Sequence, residues 1–481
     1  MFKHLLNRLC LSLVLASSLL LASPPLVAQD LPDLGDASSS ILTPEQEYRL
    51  GRAWLRNLRS QVSLLEDPLV QDYVDHLVYR LASFSDLQEP DLAIVIVNSR
   101  EINAFAVPGG VIGLNAGLFL HAQNEDEVAA VIAHEIAHVS QRHFTRRYAD
   151  SKRVNRAMLA GILASLAVAI AGDAEAGMAG IMASQAGAIQ AQLAYSRHHE
   201  READRVGMQT LTKAGMDPYA MPTFFERLMR TQQYAGKPPE FILTHPVTES
   251  RVADSKSRAQ SMPRPPLKRS LDFYLIKYRL QALYMKDPQE AVKVFKKQYH
   301  QGSNYSQQAL GFGLAIAAIR AKQFELADTT LKRLQQQNPD QLWFTLALAE
   351  SKERQNQHQE AIALSRRVLE LSPDHYAASI ILARNLIAQD QLQEARRLLE
   401  RIQWKQPSLT TYRLLAKIYT DTKDKARSHW AHGEVYFATG EEQKGIQQMR
   451  YALSNSEDNF SLYSQIKARL AEMEKLAAEK F

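Results

Sequence analysis

Cysteine is nearly missing from this sequence of 481 residues: there is one, Cys10. Its scarcity excludes a disulfide scaffold, a paired-thiol redox centre and a cysteine-bound zinc before any motif is read. A charge excess is also missing, since 57 Lys and Arg stand against 52 Asp and Glu. A formal +5 spread over so long a chain lacks the concentrated basic face of a nucleic-acid binder, and no nucleic acid is expected as a partner. Long apolar runs are scarce too. Leu9 to Ala22 is uncharged and rich in leucine, behind Lys3, His4 and Arg8. That is the pattern of a secretory signal peptide, because a spanning helix wants about 20 apolar residues. Asn7-Arg8-Leu9 before Cys10 is wrong for a lipid-attachment box. With cleavage expected after Ala28, Cys10 leaves with the signal peptide (1–28), and the mature chain keeps 55 basic and 52 acidic side chains. A cysteine-free mature chain suits an oxidising space, and the bacterial periplasm is the expected location.

What is present is punctuation at long intervals. Residues 29–44, with Pro32 and Ser38 to Ser40, show no apolar period and read as a flexible leader. Pro263, Pro265 and Pro266 fall within four positions and forbid a continuous helix, so residues 259–270 read as a Pro-rich linker. Beyond it, Pro339, Pro373 and Pro407 recur at intervals of 34, as do Ala327, Ala361 and Ala395. Two independent markers with one period indicate a helix-turn-helix repeat of the tetratricopeptide kind, with four to six units over 271–481. The alanines belong where two helices approach closely, and the prolines stop the second helix. Such solenoids usually bind peptides or proteins.

Between leader and linker, 45–258, the decisive segment is Val131-Ile132-Ala133-His134-Glu135-Ile136-Ala137-His138. Asn124 offers an N-cap, Glu125 to Glu127 acidify the first turn, and Val128 to Val139 continues without Gly or Pro, so a helix is expected. One turn separates His134 from His138, so both imidazoles can reach one ion, while Glu135 is rotated by roughly 100° toward a water on it. This HExxH spacing is that of a hydrolytic zinc site, which needs a third protein ligand and leaves one position for water.

Three sources compete for that ligand. His143, counted along the same helix, points away from His134 and reads as a cap or supporting residue. In Tyr195 to Asp204 a helix would put Glu200 and Asp204 one turn apart on one face, so that Glu200 ligates and Asp204 supports a ligand histidine or anchors the helix. Glu202 points elsewhere. His198 and His199 are rivals, although adjacent histidines are usually exposed. Upstream, Leu92 to Val97 is Val/Ile-rich, and Asn103 to Leu114 reads as two strands around Pro108-Gly109-Gly110.

HExxH, then Ser196-Arg197, Glu200 and Ala203-Asp204 some sixty residues on, with Asn103 to Gly110 before and Thr244-His245-Pro246 and Arg251 after, resembles the gluzincin family of HtpX-like and CaaX prenyl-protein endopeptidases. The resemblance implies one Zn2+ per chain held by His134, His138 and Glu200, with Glu135 as general base. It puts His245 near the metal, as an oxyanion stabiliser or proton donor, as a fourth ligand that shuts the site, or in a structural role. With the leader and repeats, the architecture is similar to that of periplasmic chaperone-like proteases of outer-membrane protein assembly. Unfolded or misassembled outer-membrane proteins and the beta-barrel assembly machinery are the partners so implied.

The expected fold is mainly α: an α+β zinc metallopeptidase domain with a small sheet, then an all-α tetratricopeptide-repeat solenoid. Asn103, Ala104, Phe105 and Ala106 are either a substrate-pairing edge strand or part of a structural hairpin. In HtpX-like relatives the interval that corresponds to 157–194 is associated with membrane helices. Here the uncharged run Ala157 to Gly172 is short, and Gln185, Gln190 and Gln192 interrupt the next stretch, so a buried or lid-like helical hairpin is expected, with peripheral membrane contact left open. A chaperone or adaptor with a structural zinc is the competing function.

Overall fold

The computed structural model describes residues 42–88, 91–149, 197–235, 239–266, 270–301 and 304–478. The signal peptide and the expected hairpin of 157–194 lie outside the described residues. The first helix, α1 (Pro44–Gln61), opens on a reciprocal cap between Thr43 and Gln46. Asp67 caps α2 (Pro68–Ala82) by accepting from the Leu69 and Val70 amides.

A three-stranded sheet follows, β1 (Ala93–Val97), β2 (Ala104–Val107) and β3 (Val111–Asn115), in the order β1-β3-β2. β1 runs parallel to β3 and β2 antiparallel to it, with Ala104 opposite Leu114 and Val107 opposite Val111. The hairpin turn needs left-handed backbone, which Gly109 and Gly110 supply at φ 76° and 74°. β2 is therefore an edge strand.

After α3 (Ala116–His121), α4 (Glu125–Ser140) carries the HExxH motif and is buried at every position from Glu127 to His138. It has no solvent face, because β2, α2, α6 (Arg197–Lys213) and α7 (Ala220–Ala235) all pack on it. The shorter α5 (His143–Ala149), α8 (Glu240–Thr244) and α9 (Glu249–Ser261) complete this part. Among the described residues no helix is long and apolar enough to cross a membrane.

The remaining helices form antiparallel pairs: α10 (Leu271–Tyr284), α11 (Pro288–Gln301), α12 (Asn304–Arg320), α13 (Phe324–Gln337), α14 (Leu342–Arg354), α15 (His358–Leu371), α16 (Tyr376–Ala388), α17 (Leu392–Lys405), α18 (Leu409–Asp421), α19 (Lys425–Ala438), α20 (Glu442–Ser454) and α21 (Phe460–Ala478). Ala327, Ala361 and Ala395 are wholly buried, each in the second helix of a pair. Pro339, Pro373 and Pro407 each stand two residues beyond a helix end. The turns within pairs use left-handed Lys322, Asn356, Asp390 and Lys423, at φ between 56° and 60°.

The repeats also touch the first part of the chain. On α10, Lys277 donates to the Ala122 carbonyl at 2.6 Å and Tyr274 to that of Gln123 at 3.0 Å, just before α4. At the far end Arg56 of α1 pairs with Glu442 of α20 at 2.8 Å.

Candidate metal centre

Four side chains from two helices and the cap of a third converge on a point. His134 and His138 of α4 bring their Nε2 atoms to 3.0 Å. Glu200 of α6 places Oε2 3.5 Å from His134 Nε2 and Oε1 3.5 Å from His138 Nε2. His245, at the end of α8, places Nδ1 3.4 Å from His134 Nε2 and 3.1 Å from Glu200 Oε1. The four donors lie within 4.8 Å of one another, and all four residues are buried. A tetrahedral ion with arms of about 2.0–2.1 Å has edges of about 3.3–3.4 Å between its ligands, so these separations fit one small divalent cation. Imidazole nitrogens with a carboxylate suit a borderline-soft metal.

Supporting contacts hold His134 and Glu200. The far nitrogen of His134, Nδ1, lies 3.0 Å from Asp204 Oδ1. Arg251 of α9 forks onto Asp204, Nε to Oδ2 at 2.8 Å and Nη2 to Oδ1 at 2.7 Å, and its Nη1 lies 2.7 Å from Glu200 Oε2. Glu135 is fully buried beside the cluster, and neither of its oxygens accepts a hydrogen bond among the described residues. Its Oε1 is 3.4 Å from His245 Nε2. A buried carboxylate without a donor is costly unless something else meets it, such as a water on an ion.

The electrostatics agree with a cation site. Burial raises Glu135 above the ordinary carboxylate range. Burial acts the same way on Glu200, but His245 and Arg251 overcome it and hold that carboxylate well below its usual range. On His134 burial acts downward, yet Asp204 and Glu200 lift it to about 9. Asp204 at Nδ1 and Glu200 at Nε2 thus favour the charged ring, and Nε2, which faces the cluster, is a place that a proton and a metal ion would contest.

The structure changes the reading of the other histidines. α4 stops at Ser140, and Arg142 takes φ 50°, so His143 does not continue around the same helix. The chain turns back and puts His143 Nδ1 2.9 Å from His138 Nδ1. Glu202 does point away from the cluster, and it meets His143 Nε2 at 3.2 Å and Arg146 Nη1 at 3.1 Å. His199 is buried, against the expectation for adjacent histidines, because it stacks on His143 at 4.7 Å. His198 is exposed, and neither joins the four donors. Asn103 donates to Glu240 Oε2 at 3.2 Å, Phe105 packs edge-on against Trp54, and Ala104 and Ala106 take the intervening positions of β2.

The family model described as Peptidase family M48 matches residues 68–259, and tetratricopeptide-repeat models match 308–340 and 354–418. The beta-barrel assembly-enhancing protease of Escherichia coli K12 is 36% identical over 346 residues, covering 72% of this chain and 71% of its own. The chain belongs to the M48 peptidases. A Vibrio cholerae relative under the same protease name is 41% identical to this M48 metallopeptidase over 340 residues, 69% of this chain and 70% of the relative. A more distant likeness, 28% over 180 residues, is to the mitochondrial metalloendopeptidase OMA1 of Schizosaccharomyces pombe, covering 37% of this chain and 50% of that protein.

Proposed function

We propose that this M48 metallopeptidase is a periplasmic zinc endopeptidase with chaperone-like activity. In this reading it promotes assembly of outer-membrane β-barrel proteins and degrades those that misassemble. The observation that carries the hydrolytic part is the buried set of four donors with the undonated Glu135 carboxylate beside it. The names of the relatives support the choice of substrate, and the signal-peptide pattern supports the compartment.

His134, His138 and Glu200 would hold the zinc. When bound, it would supply Lewis acidity toward a water and a scissile carbonyl. Glu135, raised by burial, would take the proton of the attacking water and return it to the leaving amine. Asp204 and Arg251 keep His134 and Glu200 aimed. β2, at the edge of its sheet and against α4, supports the reading in which an unpaired strand is laid along it by main-chain bonds, so that unfolded barrel segments are the preferred substrate. His245 brings a fourth donor to the three that would hold the zinc, which supports a resting enzyme that opens only when His245 withdraws.

One experiment tests both parts. The full chain, Glu135→Gln and His245→Ala are compared for degradation of an unfolded outer-membrane protein and, separately, for assembly of a barrel. Glu135→Gln is expected to keep zinc, lose cleavage by at least ~100-fold, the scale of general-base removal, and retain assembly. His245→Ala is expected to cleave faster. Undiminished cleavage by Glu135→Gln refutes the hydrolytic assignment, and unchanged cleavage by His245→Ala refutes the closed state.

A further inference from the structure

The contacts behind the two helical histidines differ. His134 is backed by a carboxylate, Asp204, whereas His138 is backed by another imidazole. That second contact has one workable direction if His138 turns Nε2 to a cation, because its remaining proton is then on Nδ1 and must be donated. His143 Nδ1, 2.9 Å away, must accept it, so the His143 proton sits on Nε2. Nε2 faces Glu202 Oε2 at 3.2 Å, and an ionised carboxylate only accepts. Arg146, 3.1 Å from the same oxygen, keeps that carboxylate ionised and in place. The stacked ring of His199, 4.7 Å away and at 19°, holds the plane of His143. Every link runs the same way, from His138 through His143 to Glu202.

We infer that His143 and Glu202 are positioning residues that fix the tautomer and ring orientation of His138, presenting its Nε2 lone pair to the metal. The inference rests on the reading of His138 as a ligand. It does not follow from HExxH itself, which leaves the far nitrogen of the second histidine unspecified. It also explains why α4 ends at Ser140 with left-handed Arg142: the turn brings His143 back beneath His138. Left-handed backbone is disfavoured at a non-glycine residue, so such a turn persists where tertiary contacts hold it.

The test uses the full chain and Co2+ as the probe, whose visible absorption reports coordination geometry. Affinity is measured by competition with a chelator, alongside kcat and KM on an unfolded outer-membrane protein. Four variants are compared with wild type: His143→Leu, His143→Asn, Glu202→Leu and His138→Ala. His143→Leu is expected to weaken Co2+ binding about 10–100-fold, the usual effect of losing a partner of a ligand histidine, and to alter the spectrum. His143→Asn keeps an acceptor oxygen near the position of Nδ1 and should recover most of the affinity and the spectrum. Glu202→Leu should fall between them, with kcat reduced and KM little changed.

Wild-type affinity and spectrum in both His143→Leu and Glu202→Leu overturn the inference. Equal losses in His143→Leu and His143→Asn also overturn it, since packing and not acceptance would then be at work. If His143→Leu does not fold, the contrast between His143→Asn and Glu202→Leu decides. His138→Ala separates the two levels. Undiminished Co2+ binding in that variant overturns the ligand reading, and with it this inference, whereas loss of binding there beside unaffected His143 and Glu202 variants overturns the positioning role alone.

Discussion

Arg251 is one buried guanidinium among two buried carboxylates. It reaches Asp204 with two nitrogens and Glu200 with the third, its Nη1 donates to the Pro246 carbonyl at 2.9 Å, and its face lies 4.8 Å over Phe225. It therefore ties α6, α9 and the residue after His245 to one charge. Replacing it with methionine keeps much of the volume and strands both carboxylates. Removing one partner of a buried ion pair costs about 3–5 kcal/mol, and Arg251→Met is expected to lose that much in urea unfolding at pH 7. Arg251→Lys should rescue little, because one ammonium cannot fork onto two acids. This residue stood in the sequence as a member of a resembling pattern, but its three partners did not, since they depend on the distance between α6 and α9. His143, read as a cap or supporting residue, does stand behind a donor, but counting it along α4 failed for a related reason: Arg142 in a left-handed conformation leaves no signal of the kind that glycine or asparagine would.

At the scale of elements, the site depends on how closely α6 lies against α4. Gly207 permits the approach, since a Cβ there would stand 3.0 Å from the His134 nitrogen and 3.1 Å from the Ala133 carbonyl. All of those neighbours are backbone and cannot swing aside. Gly207→Ala is expected to cost ~1–3 kcal/mol, as overpacking does, and to weaken metal binding because His134 and Glu200 move apart. Gly215→Ala is the control. Gly215 has φ 73° with open space around it, so it should cost about 1–2 kcal/mol of backbone strain and leave metal affinity alone. Thermal unfolding and chelator competition separate the two. The repeat helices were legible because small residues and prolines mark each unit on its own, and HExxH was legible because one turn of helix fixes it. α4 was harder, since a helix buried on all sides shows no polar stripe, and Asn124, the acidic first turn and a run without Gly or Pro announced it.

Across the whole molecule, the repeats and the peptidase part are joined by contacts that no local pattern could announce. Arg279 of α10 bridges Asp67, the cap of α2, and Glu350 of α14, at 2.8 and 2.9 Å. Nearby a groove of about 1050 Å³ runs between the two parts, lined by Asp72, Asp75, His76, Tyr376 and Gln406 among others. Asp75 there accepts from Gln71 and Gln406 at 2.7 Å each, yet burial pushes it up to about 7. Its ordinary value is about 3.9, so between pH ~4 and 7 the folded chain holds a proton that the unfolded chain has released. Stability from this group is therefore full below pH ~4, falls as the pH rises through that window, and is lost above 7. His375, lowered by burial and 3.5 Å from Asp72, acts with the opposite sign: neutral when folded, it loses stability as the pH falls below its ordinary value. The wild-type curve mixes the two, but the difference between wild type and Asp75→Asn isolates Asp75 with its coupling to Asp72. Urea unfolding at pH steps from 4 to 8 should show Asp75→Asn gaining on wild type up to about pH 7, at up to ~1.4 kcal/mol per unit, and keeping a constant lead above it. A difference flat across that range would mean that Asp75 stays ionised and that the two amides outweigh its burial at the junction.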